Sequence, residues 1–202
     1  MASSLECDVI RFVTGNGQKI AEVEEILDEL GLPLPLVRTN LDLDELQAEP
    51  RRIAAEKCEV AARTTLGPTM VDDTSLCLEA LGDMPGPFIK WFQTRDDVLP
   101  RMLDGFESKR AVALCCVAFS NGGPPVVFEG RCEGTIVEPR GERGFGWDRC
   151  FQPDGSDLTF AEMPVRHKNK ISHRANALRS LAAYLRANPD LLDDICDISQ
   201  KS

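Results

Sequence analysis

The sequence predicts an α/β protein with a mixed β-sheet flanked by helices. Three observations carry this reading. Residues 9–13 are a short apolar run followed at once by apolar residues at helical spacing. Residues 111–119 are rich in Val, Ala and Cys, as a strand buried on both faces requires. Turn residues at 120–125 then lead straight into a further extended segment.

Taken in order, residues 9–13 read as a strand ending at Thr14-Gly15-Asn16, after which Ile20, Val23, Ile26, Leu27 and Leu30 line one face of a helix. Gly31 and Pro33 close that helix, residues 34–38 read as a second strand, and the acidic stretch 41–49 as irregular. Pro50 suits the first turn of a helix, where its missing N–H costs nothing, so a helix is expected from there to about Thr65. Residues 69–71 read as a buried strand leading into a site loop at Asp72-Asp73-Thr74. Residues 111–119 are expected as a central strand. Ser120-Asn121-Gly122-Gly123-Pro124-Pro125 is turn chemistry, and residues 126–137 complete a long hairpin that makes the sheet mixed. Residues 139–170 look loop-rich. In residues 172–186, Ala175, Leu178, Leu181, Ala182 and Leu185 return to helical spacing.

The chain has 202 residues, 43% of them hydrophobic, which suits a single domain over residues 1–202 with an acidic tail from about 188 to 202. No apolar run is long enough to span a bilayer, and residues 1–8 lack a basic segment followed by an apolar one. A cytoplasmic protein without a membrane partner is expected. The eight cysteines are scattered without a C-x-x-C pair, which points to free thiols, and the adjacent Cys115 and Cys116 face opposite sides of a strand. A net charge of −10 repels nucleic-acid backbones. An anionic small molecule remains compatible with that charge if lysines converge and a metal ion assists.

Four segments carry candidate chemistry. Thr14-Gly15-Asn16-Gly17-Gln18-Lys19 sets a glycine-containing loop between strand and helix, where backbone N–H groups and the helix start attract phosphate oxygens. It matches neither the P-loop pattern nor G-x-G-x-x-G, since Ile20 stands where a third glycine belongs. Asp72 and Asp73, with Glu45 and Glu49, could gather hard oxygen donors around a cation; a solvated acidic surface is the plainer reading. Residues 85–92 hold Lys90 among two prolines and three aromatics, with the aromatics expected to plug the core. Phe145-Gly146-Trp147-Asp148, followed by Lys168, His173 and Arg174, offers flat rings beside groups able to read a purine edge. His167 and His173 lack the spacing and cysteine neighbours of a zinc site.

In this order the segments resemble the inosine triphosphate pyrophosphatase family, also called Ham1 or RdgB-like, and its eukaryotic branch in particular. The resemblance rests on Thr14-Gly15-Asn16 with Lys19 and Glu22, Asp72-Asp73-Thr74-Ser75-Leu76, residues 85–92, Phe145-Gly146-Trp147-Asp148 and Ser172-His173-Arg174. It covers nearly the whole chain. It implies a long curved mixed sheet, two lobes with a central nucleotide cleft, and a homodimer.

The resemblance further implies Mg²⁺-dependent hydrolysis of ITP, dITP and XTP to the monophosphate and pyrophosphate, with Mn²⁺ as a substitute metal. By position, Asp73 is the general base, Glu45 and Asp73 hold the metal, and Lys19, Lys57 and Lys90 contact the triphosphate. The loop from Thr14 to Lys19 and Thr74 add substrate contacts. Phe145, Gly146 and Trp147 form the base pocket, Asp148 and Lys168 stand at its edge, and His173 and Arg174 supply donors to a 6-oxo group, which adenine lacks. Asp72 departs from relatives that carry Glu there. Two other readings stand beside this one: a Maf-like pyrophosphatase acting on pyrimidine or modified nucleotides, and a nucleotide sensor without hydrolysis.

Overall fold

The first apolar run forms β1 (Ile10–Val13), with Ile10 and Phe12 fully buried. The computed structural model describes residues 9–193 apart from Thr94, so residues 1–8 and the tail beyond residue 193 lie outside the described residues. Asn16 caps the next element, α1 (Gly17–Glu29): its Oδ1 accepts the Gln18 N–H at 2.9 Å, satisfying one of the helix's orphan donors. Val23, Ile26 and Leu27 form the buried stripe of α1. β2 (Leu36–Thr39) follows, two residues later than the sequence suggested. Residues 41–49 have no regular structure, yet Leu41 and Leu43 anchor them against the core.

α2 (Pro50–Thr65) begins at the expected proline and buries Ile53, Ala54, Cys58 and Ala61. These residues are mostly small, so the helix packs close to Val13, Val71, Cys116 and Ala118 on the sheet. β3 (Thr69–Leu78) corrects one expectation. Asp72, Asp73 and Thr74 lie within a continuous strand, not in a loop after it. The strand persists because Met70, Val71, Leu76 and Leu78 bury apolar surface on either side of the acidic pair.

Next come β4 (Pro85–Gly86), α3 (Ile89–Phe92), α4 (Val98–Met102), β5 (Arg110–Ser120) and β6 (Val126–Ile136). The expected central strand and its extended successor are therefore β5 and β6. Residues 139–170 hold more structure than expected: a 3₁₀ turn at Gly146–Arg149, β7 (Phe151–Pro153) and α5 (Val165–Ile171). Each is too short to leave a periodic signal, and tertiary pairing makes them. Gly134 shows how, since a Cβ there would lie 2.4 Å from the Gln152 carbonyl oxygen, so only glycine lets β7 pair so closely with β6. α6 (His173–Ala187) and α7 (Asp190–Asp193) complete the described chain.

The sheet runs β2-β1-β3-β5-β6-β7, with β4 alongside β3. β1 pairs parallel to β2 and β3, whereas β6–β7 and β3–β4 are antiparallel, so the sheet is mixed. The described chain divides into two compact units. The first comprises residues 9–73, 116–129 and 177–193, and the second residues 74–115 and 130–176. Each has its own core: the first around α2 and Val13, Val71, Cys116 and Ala118, the second around Leu76, Leu99, Trp147, Phe151 and Phe160. Among the described residues, no helix is long and apolar enough to cross a membrane.

Candidate functional site

In the first unit the acidic pair meets two lysines. Adjacent residues of a strand point to opposite faces, so Asp72 and Asp73 separate. Asp73 shares a face with Val71, the face that α2 covers, and its Oδ2 accepts a hydrogen bond from Lys57 Nζ of that helix at 2.6 Å. Asp72 faces the other way, where Lys19 Nζ of α1 lies 2.5 Å from its Oδ1 and 3.1 Å from its carbonyl oxygen. Lys57 also reaches Glu45 Oε2 at 2.7 Å, so one ammonium bridges two carboxylates. Burial works against the Lys57 charge, but the Asp73 carboxylate, helped by Glu45, outweighs it and holds the ammonium above its ordinary range.

The loop before α1 is built from its own side chains. Thr14 Oγ1 accepts the Asn16 N–H at 3.1 Å, and Asn16 is committed to the helix cap. Gly17 and Gln18 open the helix beside Lys19. Arg38, unremarkable in the sequence, holds this loop from β2: its guanidinium donates to the carbonyls of Thr14 at 3.3 Å and Gly15 at 2.8 Å. The only trace is strand register, since Phe12 of β1 pairs with Arg38, and register is invisible without the fold.

In the second unit, Asp148 organises the Phe145-Gly146-Trp147-Asp148 segment. Its Oδ2 accepts the Phe145 N–H at 3.0 Å and a hydrogen bond from Lys168 Nζ at 2.8 Å. Gly144 permits this: its φ is +73° and a Cβ would fall 2.1 Å from Asp148 Oδ2. Lys168 Nζ lies 5.4 Å and the Arg174 guanidinium 5.7 Å from the centre of the Phe145 ring, within cation–π range. Arg174 is almost wholly buried and donates to Thr74 Oγ1 at 3.2 Å. His173 packs against Trp147 at 5.2 Å and stacks on Phe160 at 6.2 Å. Trp147, expected as a stacking surface, is only 7% exposed and backs His173 from inside the core.

Lys90 is exposed on α3, 4.2 Å from the Trp91 ring. The expectation that its aromatic neighbours plug the core is corrected, because Trp91 and Phe92 are 51% and 38% exposed. A helix of one turn can turn only one residue inward, and Ile89 takes that place.

Among the described residues no three His, Cys, Asp or Glu side chains converge as a metal cage. The Glu45–Asp73 pair offers hard oxygens of the kind Mg²⁺ accepts when it takes one or two carboxylates and completes its shell with phosphate oxygens and water. The donor set thus fits a metal shared with a phosphorylated ligand. Glu49 sits at the start of α2 without a side-chain cap bond and adds nothing visible to that pair.

In this α/β protein the paired lysines and carboxylates of the first unit have the charge character that suits phosphates and their cation, and the second unit separately presents the Phe145 ring beside two cations. The chain belongs to the Ham1 family, the nucleoside-triphosphate pyrophosphatases, whose model matches residues 10–184. Solved structures agree. A HAM1 protein from Coxiella burnetii is similar with a TM-score of 0.76 and 29% identity, covering 89% of this chain and 99% of that one. The Ham1 protein of Staphylococcus aureus gives 0.74 and 26%, with 89% and 99% covered. A nucleoside-triphosphatase, described as a dITP/XTP pyrophosphatase, from Mycobacterium abscessus gives 0.66 and 28%, with 89% and 98% covered.

Proposed function

We propose that this protein hydrolyses non-standard purine nucleoside triphosphates, ITP, dITP and XTP, to the monophosphate and pyrophosphate, and is of the eukaryotic type within its family. The observation that carries the reading is the bridge Glu45–Lys57–Asp73, with Lys19 on Asp72 beside it, a set of charges suited to a polyanion and its cation. Lys19, Lys57 and Lys90 bind the triphosphate, and the backbone N–H groups from Thr14 to Lys19 assist. Glu45 and Asp73 hold Mg²⁺, or Mn²⁺ in its place. When bound, the metal supplies positive charge that lowers the pKa of water and offsets the charge of the leaving pyrophosphate.

Asp73 takes the proton of the attacking water. As the new oxygen–phosphorus bond forms at the α-phosphorus, the bond from that phosphorus to the α–β bridging oxygen breaks and pyrophosphate leaves with its electron pair. The lysines offset the negative charge that develops on the phosphate oxygens. In the second unit the base stacks on Phe145. Arg174 and His173 donate to the 6-oxo group, while Lys168 and Asp148 fix the ring edge. An adenine amino group presents donors to those donors and is rejected. The resemblance, with the six free cysteines among the described residues, supports a homodimer working in the reducing cytoplasm.

Pyrophosphate release from ITP, XTP, dITP, GTP, ATP and dTTP, with and without Mg²⁺, tests the reading. Metal-dependent release that favours ITP or XTP is expected. A preference for dTTP makes the protein a Maf-like pyrophosphatase, and tight binding without release makes it a sensor.

A further inference from the structure

Lys57 stands where a cation shared by two carboxylates belongs. Its Nζ is 2.7 Å from Glu45 Oε2 and 2.6 Å from Asp73 Oδ2, two charge-assisted hydrogen bonds on a side chain that is 14% exposed. Lys19 holds Asp72 in the same way. These five side chains set two positive charges against three negative ones, so the lysines already offset most of the acidity that attracts a metal. An ammonium and a divalent cation cannot share the same two oxygens, because their mutual repulsion is strong at such separations. Nor does a third His, Cys, Asp or Glu side chain among the described residues offer a cage that would outcompete the ammonium.

We infer that Lys57 is a placeholder for the metal: in the ligand-free protein its ammonium keeps Glu45 and Asp73 from binding a divalent cation, and it gives way only to a cation that arrives with a triphosphate. The phosphate oxygens are what makes the exchange possible. They offer the displaced ammonium a new anionic partner close by, so that no buried charge is left unpaired. One side chain thereby ties metal uptake to substrate, and the protein does not collect metal when there is nothing to hydrolyse. The inference rests on reading Glu45 and Asp73 as the metal's ligands.

Equilibrium dialysis with Mn²⁺ as the probe tests it without turnover, first with Mn²⁺ alone and then with Mn²⁺ and inorganic tripolyphosphate. The wild-type protein is expected to take up Mn²⁺ well only with tripolyphosphate. Lys57→Met is expected to bind Mn²⁺ alone at least about tenfold more tightly than wild type, as removal of a contacting like charge predicts. Lys57→Arg keeps the charge and stays as weak as wild type. Adding Glu45→Gln to Lys57→Met abolishes the gain. The inference is overturned if wild type binds Mn²⁺ equally well without tripolyphosphate, if Lys57→Met shows no gain, if Lys57→Arg gains as much, or if the gain survives Glu45→Gln. The wild-type comparison decides even if a variant fails to fold. Pyrophosphate release from ITP by the same wild-type preparation separates the two readings: turnover together with free uptake of Mn²⁺ defeats the placeholder and leaves the proposed function standing.

Discussion

Of the single side chains, Asp73 is the one on which the proposed hydrolysis depends most. It lies within β3 with its carboxylate held by Lys57, so Asp73→Asn keeps the shape and a hydrogen-bond acceptor while removing the proposed base. That variant is expected to fold and to bind ITP, with turnover down about 10²–10⁴-fold, the usual contribution of a positioned general base. Steady-state kinetics beside a binding titration checks it; normal turnover removes Asp73 from the role. Lys168 and Asp148 are a pair buried to more than nine-tenths, and Asp148 also fixes the Phe145 N–H. Lys168→Met strands the carboxylate, and a loss of about 3–5 kcal/mol is expected in urea unfolding. Residue types along the chain announced both groups. What they could not announce was partnership. Lys57 is one of several charged residues in α2, and nothing local says that it bridges Glu45, 12 residues before it, and Asp73, 16 residues after it. Arg38, which holds the loop before α1, is hidden in the sequence for the same reason.

Elements were legible in proportion to their length. α1, α2 and α6 each run long enough to repeat an apolar face, and β5 and β6 long enough to alternate or saturate. β7 and α5 leave no readable signal because three and seven residues carry too little pattern. The acidic pair misled in a specific way. Two adjacent aspartates discourage a strand locally, but β3 continues because its apolar residues on both sides are buried in the sheet. One element end carries a backbone cost. Leu66 closes α2 in the left-handed conformation, φ 55°, with 67% of its surface exposed. Leu66→Gly removes that backbone cost and sacrifices little burial, so it is expected to stabilise the protein by about 1 kcal/mol. A higher urea midpoint with an unchanged slope registers the gain; a lower one shows that Leu66 packs against something.

For the whole molecule, the family's overall architecture was readable because several short motifs in fixed order are far more specific than any one of them. The boundaries of the two compact units leave no local signal along the chain, since both units are assembled from separate stretches. The thiols report on the integrity of each unit. Burial, with a smaller contribution from Glu129, pushes Cys116 up to about 12, and burial alone does the same to Cys58. In the second unit, burial and then Asp148 push Cys150 up to about 12. These three are expected to resist iodoacetamide in the native protein at about pH 8, where the thiolate is scarce, and to react on unfolding. Mass spectrometry of alkylated peptides reads both units at once. Labelling confined to Cys150 under native conditions would show the second unit opening by itself.

The proposed chemistry stands or falls on which bond of the triphosphate breaks. The most direct measurement is hydrolysis of ITP in H₂¹⁸O with mass analysis of both products. Attack on the α-phosphorus puts the label in IMP and leaves pyrophosphate unlabelled, which is the result expected here. Label in pyrophosphate or in free phosphate, with unlabelled nucleotide product, would contradict the account by placing the attack on another phosphorus.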